Sequence, residues 1–195
     1  SVSAIIEEIK KKNPVVVDEV TTGDHRFSYG EIEAVLKNLL EEQVSIRNMV
    51  VILETLGDYG KLTRDPWTLT EKVREALGAQ ICQQYADENK VLHVLNLSQS
   101  LAQKILDHRA DMPGKGPIVA FDPVDARNYI STMSNAVAAV RERNYLPIIL
   151  CPSEVRRLVK SSTELEMPGI IVLSINEVMA ASPNIKVESL GEING

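Results

Sequence analysis

Aromatic side chains are scarce, at 4% of 195 residues, and no basic run is longer than Lys10–Lys12. A nucleic-acid groove needs clustered cations and stacking rings, and an anionic membrane surface needs a basic patch, so neither partner is expected. Cysteine occurs twice, at Cys82 and Cys151, and histidine three times without zinc-type spacing. A disulfide framework is thereby excluded, no metal or cofactor is expected, and a reducing cytoplasmic setting is the natural reading. No apolar run approaches the roughly 18 residues of a membrane span. The chain opens Ser1-Val2-Ser3, with neither an initiator Met nor a signal-peptide pattern, and is expected to be a soluble piece of something longer. No Gly-rich phosphate loop follows an apolar run, and Gly114-Lys115-Gly116 precedes one, which argues against a nucleotide site.

What is present is an ordinary globular composition: 44% hydrophobic, 25% charged, net charge −6, enough for one or two buried cores. Residues 1–86 read as helical. Ser28 and Glu31 have capping-box spacing, because a Ser oxygen accepts from the third helical amide while the Glu reaches back. Ile32, Val35, Leu36, Leu39 and Leu40 then fall on one helix face. Ser45 is expected to cap a second helix with the stripe Ile46, Met49, Val50, Leu53 and Leu56. Asp65-Pro66 opens a third, with Leu69, Val73, Leu77 and Ile81 inward.

From residue 87 the pattern changes. Val91–Leu97, Ile118–Phe121, Pro147–Leu150 and Ile170–Leu173 are short apolar runs, each followed by a helix start at Ser98, Asp122-Pro123, Cys151-Pro152 or Ser174. Near-continuous apolar strands alternating with amphipathic helices predict an α/β unit over 87–195, with a mostly parallel sheet covered by helices. A long helix follows Pro123 with Ala126, Ile130, Met133, Val137 and Val140 inward. Asp111–Pro117 is expected to be a surface loop, and Ile185–Leu190 an edge strand. The fold class is thus an all-helical unit joined to an α/β unit, α + α/β.

Three groups of residues invite a chemical reading. Cys151 and Arg157, with five residues between them at a strand-to-helix turn, have the spacing of cysteine-dependent phosphoryl hydrolases, in which a helix N-terminus lowers the thiol pKa and the Arg clamps phosphate. Here Glu154 repels a phosphate and Pro152 removes an amide donor, so a buried structural Cys151 is preferred and no catalytic residue is assigned. Asp122, Cys151 and Ser174 would share the carboxyl edge of the sheet if their strands are parallel, yet all three also suit helix caps. His108 with Asp107 and Asp111 reads as a solvated helix end, His93 as a satisfied strand histidine, and Trp67 as either an interface anchor or a core plug.

The blocks Val44-Ser-Ile-Arg-Asn48, Ile52-Leu-Glu-Thr-Leu-Gly-Asp-Tyr59, Thr63-Arg-Asp-Pro66 and Val73-Arg-Glu-Ala-Leu-Gly-Ala-Gln-Ile81 together resemble the FlhA family, the export gate of flagellar type III secretion. Leu150-Cys-Pro, Val155-Arg156 and Val172-Leu-Ser-Ile-Asn-Glu-Val178 are similar to the end of that family. The resemblance implies a fragment of a protein with an N-terminal membrane part and four cytoplasmic subdomains, held on the cytoplasmic side of the bacterial inner membrane. Residues 1–86 would be the helical third subdomain and 87–195 the α/β fourth. It also implies a non-enzymatic role in a nonameric ring and in docking soluble flagellar export components. The chaperone cleft lies mainly in the first two subdomains, outside this chain, so chaperone–substrate complexes would engage the intact protein. The wording Ile52-Leu-Glu-Thr-Leu56 fits the flagellar branch better than the virulence injectisome branch. Within the matched blocks Arg47, Arg74, Asp65 and Trp67 are the candidate interface residues, each Arg pairing either across subunits or within the chain. Gly57 and Gly60 stand where Ala is common in the family, and a hinge or sharper turn at the end of the second helix is expected there.

Overall fold

The structure, a computed structural model, describes all 195 residues and resolves them into two compact units, Ser1–Leu77 and Gly78–Gly195. The first holds α1 (Val2–Lys12), α2 (Pro14–Thr21), α3 (Tyr29–Glu41), α4 (Met49–Tyr59) and α5 (Pro66–Ala76). The Ser28 box is formed: Ser28 Oγ accepts from the Glu31 amide at 3.1 Å, and Glu31 Oε1 accepts from the Ser28 amide at 2.9 Å. Ile32, Val35, Leu36 and Leu39 are buried as their spacing requires, whereas Leu40, at the margin of that stripe, is half exposed. Ser45 does not cap α4. Its hydroxyl accepts from the Arg47 amide two residues on, at 3.3 Å, and this local turn delays the helix to Met49 with Asn48 as its cap. Asp65 does cap α5, accepting from the Thr68 amide at 2.9 Å, with Pro66 in the first turn.

The expected continuation of this last helix to Ile81 is broken at Leu77, where the backbone leaves helical geometry. The following helix, α6 (Gly78–Tyr85), belongs to the second unit, so the boundary lies before Gly78 and not near residue 86. Gly78 explains the close seating of α6 on α10 (Ile175–Ala181): a Cβ there would collide with the Glu177 carbonyl oxygen and the Ala180 Cβ.

The rest of the second unit comprises β1 (Val91–Leu97), α7 (Gln99–Asp107), β2 (Arg109–Met112), β3 (Gly116–Val119), α8 (Pro123–Glu142), β4 (Ile148–Cys151), α9 (Ser153–Thr163), β5 (Ile171–Ser174), α10 and β6 (Lys186–Ile193). The sheet has order β5-β4-β1-β6, and every pair in it is parallel. Leu95, Leu97, Ile149, Cys151 and Val172 share one core with α7, α8 and α9. Leu92, Val94, Ile148 and Leu173, at alternate positions, are buried on the other face. Burial on both faces is what made these strands read as continuous apolar runs.

Ile118–Phe121 is not a strand of this sheet. Its first two residues end β3, which pairs antiparallel with β2, and the expected surface loop Asp111–Pro117 is the tip of that hairpin, with Gly114 at φ +78°. On α8, Met133, Val137 and Val140 are buried as expected and Tyr129 joins them, while Ala126 and Ile130 are only partly covered.

α4 runs through Gly57 without a hinge and ends at Gly60, which keeps right-handed helical geometry. The two glycines differ in what a side chain would meet. A Cβ on Gly57 would make ordinary contact with Val20 at 3.7 Å, whereas one on Gly60 would lie 2.5 Å from the Phe27 ring. Gly57→Ala should therefore stabilise the helical unit by about 0.5–1 kcal/mol, and Gly60→Ala should destabilise it by about 1–3 kcal/mol. Urea unfolding followed by fluorescence of Trp67, the sole tryptophan, checks both.

Candidate interaction surface

The candidate residues of the helical unit separate into surface and interior. Arg47 lies in the α3–α4 connection with its side chain exposed. Asp65 is exposed at the start of α5, holding both the amide and the hydroxyl of Thr68. Trp67, one residue into the same helix, is half-buried. Arg74, by contrast, is 3% exposed, and its guanidinium meets Glu42 at 3.7 Å. It is an intrachain tie between α5 and the end of α3, the within-chain pairing of the two its position left open, and it does not present a surface charge.

Two features of the turn between α4 and α5 escaped the sequence reading. Leu62 is 80% exposed, which places an apolar side chain beside the Asp65–Trp67 segment. Arg64 lies within the Thr63–Pro66 block but had no role assigned. Its Nη1 donates to the His25 carbonyl at 3.0 Å, and its Nη2 donates to the Arg26 carbonyl at 2.8 Å and to Glu31 Oε2 at 3.0 Å. The guanidinium also lies 3.9 Å from the centre of the Phe27 ring. A planar cation with donors on several edges can make all these contacts at once, which a lysine cannot.

The residues weighed for catalysis do not assemble. Cys151 is 1% exposed, and its thiol points to the Leu173 carbonyl oxygen at 3.8 Å. It is not a helix cap, since Pro152 takes that position and α9 begins at Ser153. Arg157 reaches toward Glu164, at 3.8 Å, at the far end of α9 and away from Cys151. The thiol and the guanidinium required by a phosphoryl hydrolase thus face different surroundings. Cys151 and Ser174 are register partners at the carboxyl ends of β4 and β5, but Asp122 follows the hairpin and has no place on that edge. Ser174 forms its capping box with Glu177, and Asp122 accepts from the Asp125 amide at 2.8 Å.

The histidines are engaged locally. His108 ends α7 with Nδ1 2.7 Å from the Lys104 carbonyl oxygen, while Asp107 accepts from Gln103 and Asp111 pairs with Arg109. His93 Nε2 lies 2.8 Å from Asp87 Oδ2, and its ring packs on Tyr145 with centres 4.8 Å apart. The His93 hydrogen bond, followed by the Val91 amide, holds the Asp87 carboxyl below the usual carboxylate range. That cluster fixes the turn from α6 into β1 and provides no nucleophile.

The turn between α4 and α5 is thus exposed and bears Leu62 and Asp65 beside the half-buried Trp67. The FHIPEP family model matches residues 1–182. The chain belongs to the FHIPEP family. It is 38% identical over 190 residues to the flagellar biosynthesis protein FlhA of Bacillus subtilis strain 168, covering 97% of this chain and 27% of that protein. The FlhA of Borreliella burgdorferi is 37% identical over 185 residues, covering 95% of this chain and 26% of that protein. The chain therefore spans about a quarter of the length of these relatives. Among solved structures, the complex of the Chlamydia pneumoniae CdsV and CdsO proteins matches with a TM-score of 0.85 at 27% identity, over 99% of this chain and 55% of that one. The nonameric EscV cytosolic domain from the type III secretion system matches with a TM-score of 0.82 at 25% identity, over 99% of this chain and 55% of that one. The resemblance to FlhA read from the sequence blocks and the helical-plus-α/β fold class both stand. No helix of this FHIPEP member is long and apolar enough to cross a membrane.

Glu31 links this surface to pH. The Ser28 amide holds its carboxyl below the ordinary value, assisted by Arg64 and opposed by partial desolvation. A depressed native pKa stabilises above the unfolded value of about 4.3, and that contribution disappears as pH falls through the native value. The stability difference between the native chain and Glu31→Gln should thus be present at about pH 6 and shrink as the pH falls below the unfolded value of about 4.3, measured by urea unfolding. A difference that grows on acidification would contradict this assignment.

Proposed function

We propose that the chain is a cytoplasmic part of a type III protein-export gate of the flagellar branch, acting by assembly and docking and not by catalysis. The family match over residues 1–182 carries this reading. The flagellar branch is supported by the identities of 38% and 37% to the FlhA proteins of Bacillus subtilis and Borreliella burgdorferi. In this reading Ser1–Leu77 supplies most of the third cytoplasmic subdomain and Gly78–Gly195 the fourth. The parent protein is anchored in the bacterial inner membrane, and this part faces the cytoplasm. The nonameric state of the EscV domain supports a ring of copies, and the CdsV–CdsO complex supports docking of soluble export components. Chaperone–substrate complexes engage the intact protein. A catalytic alternative has little support in the shielded thiol of Cys151.

Arg47, Asp65 and Trp67 are the proposed contact residues of the helical unit, with Leu62 added as an apolar anchor. Interfaces draw most of their affinity from a few side chains, among which Trp, Tyr and Arg are enriched. Arg47 provides the sharpest test because its exposed side chain has no structural task within the chain that its reversal would disturb. In the whole cytoplasmic part of the protein, Arg47→Glu should abolish or strongly reduce ring formation seen by electron microscopy, while circular dichroism and thermal midpoint stay unchanged. Rings of normal number and size in that variant would retire Arg47 as a contact residue.

A further inference from the structure

We infer that α1 and α2 form a releasable arm, latched to the rest of the helical unit by Arg64, and that the arm can undock while α3, α4 and α5 stay packed. The distribution of buried residues is the first observation. α1 buries only Val2 and Ile6, and α2 only Val17 and Val20, whereas α3, α4 and α5 bury four or five residues each. Ile5, Ile9 and Val16 are only partly covered, and Val15 is 68% exposed. Local stability follows the density of buried apolar contacts, so an element held by two side chains per helix opens before its neighbours.

The second observation is the hinge. Residues 22–26 are exposed, and Gly23 has φ +87°. α3 does not need the arm to begin, because Ser28 and Glu31 cap it from within. Arg64 fastens this hinge, bonding the carbonyls of His25 and Arg26, stacking on Phe27 and pairing with Glu31. Its side chain is 39% exposed, so the latch lies within reach of a competing carboxylate. Beside the buried Val2 and Ile6, Glu7 in the middle of α1 accepts a long bond from the Tyr29 hydroxyl, 3.4 Å, in solvent.

The third observation locates the docking seat. Val20 rests on α4 at Gly57, where the absence of a side chain leaves it room. Latch and seat can therefore be disabled separately, by Arg64→Met, which keeps an apolar stem but loses the guanidinium, and by Gly57→Leu, which occupies the position of Val20 while favouring helix in α4.

Amide hydrogen exchange of the 195-residue chain, read by mass spectrometry, tests the inference. In each variant, residues 2–27 should exchange at least about tenfold faster, a change of about 1.4 kcal/mol in local opening. Exchange in α3, α4 and α5 and the emission of Trp67 should be unchanged. Acceleration spread evenly over residues 2–77 in either variant would show one cooperative unit, and unchanged exchange over residues 2–27 would show that neither group holds the arm. Either result overturns the proposal.

Discussion

The second unit depends on one buried ion pair. Arg156 on α9 is fully buried, its Nη1 donating to the Val172 carbonyl at 3.1 Å and its Nε 3.7 Å from Glu177 Oε2. Glu177 is buried as well, and its other oxygen closes the capping box at Ser174. A charged pair without water is tolerated only when its hydrogen-bonding capacity is met by fixed groups. Here α9, the middle of β5 and the first turn of α10 provide them, so the pair ties the three elements together. Two of the blocks that carry the family resemblance, Val155-Arg156 and Val172–Val178, meet at this point, which gives their wording a physical reason.

The helical unit uses the same device at smaller cost. Arg74 and Glu42 form a buried tie between α5 and the end of α3, and Asn38 donates to Thr70 at 3.1 Å alongside it. Arg64, nearer to solvent, secures the hinge between α2 and α3. Arg156, Arg74 and Arg64 are thus each tied to a carboxylate of the chain, whereas Arg47 in the matched blocks presents an exposed side chain. That division between packing cations and a presented cation is what turns a family resemblance into a specific candidate contact.

Local features were legible in the sequence. The Ser28–Glu31 box, the Asp65-Pro66, Asp122-Pro123 and Ser174 helix starts and four of the five expected strands are set by spacings of a few residues, and all are present in the structure. Ser45 misled because its hydroxyl serves a two-residue turn in preference to a helix end, a competition that spacing does not decide. Ile118–Phe121 misled because a four-residue apolar run does not name its partner, and the hairpin with β2 outcompeted the parallel sheet. Arg74 and Arg156 were hidden for a different reason: their carboxylate partners, Glu42 and Glu177, are distant in sequence. A charge reads as surface until the fold brings its partner to it. Cys151 was legible as buried but not in detail, since the cap fell to Pro152.

The most direct test of this account is a double-mutant cycle on Arg156 and Glu177, read by amide exchange in β1 and β4 across a urea series. Arg156→Met leaves a buried carboxylate and should cost about 3–5 kcal/mol. Glu177→Gln keeps a side chain able to cap Ser174 but removes the charge. The account predicts that the double variant is more stable than the sum of the two losses by at least about 1 kcal/mol, because the second change relieves the charge stranded by the first. Losses that add to within about 0.5 kcal/mol would mean that the two groups are not coupled, and that the packing of α9, β5 and α10 rests on something else.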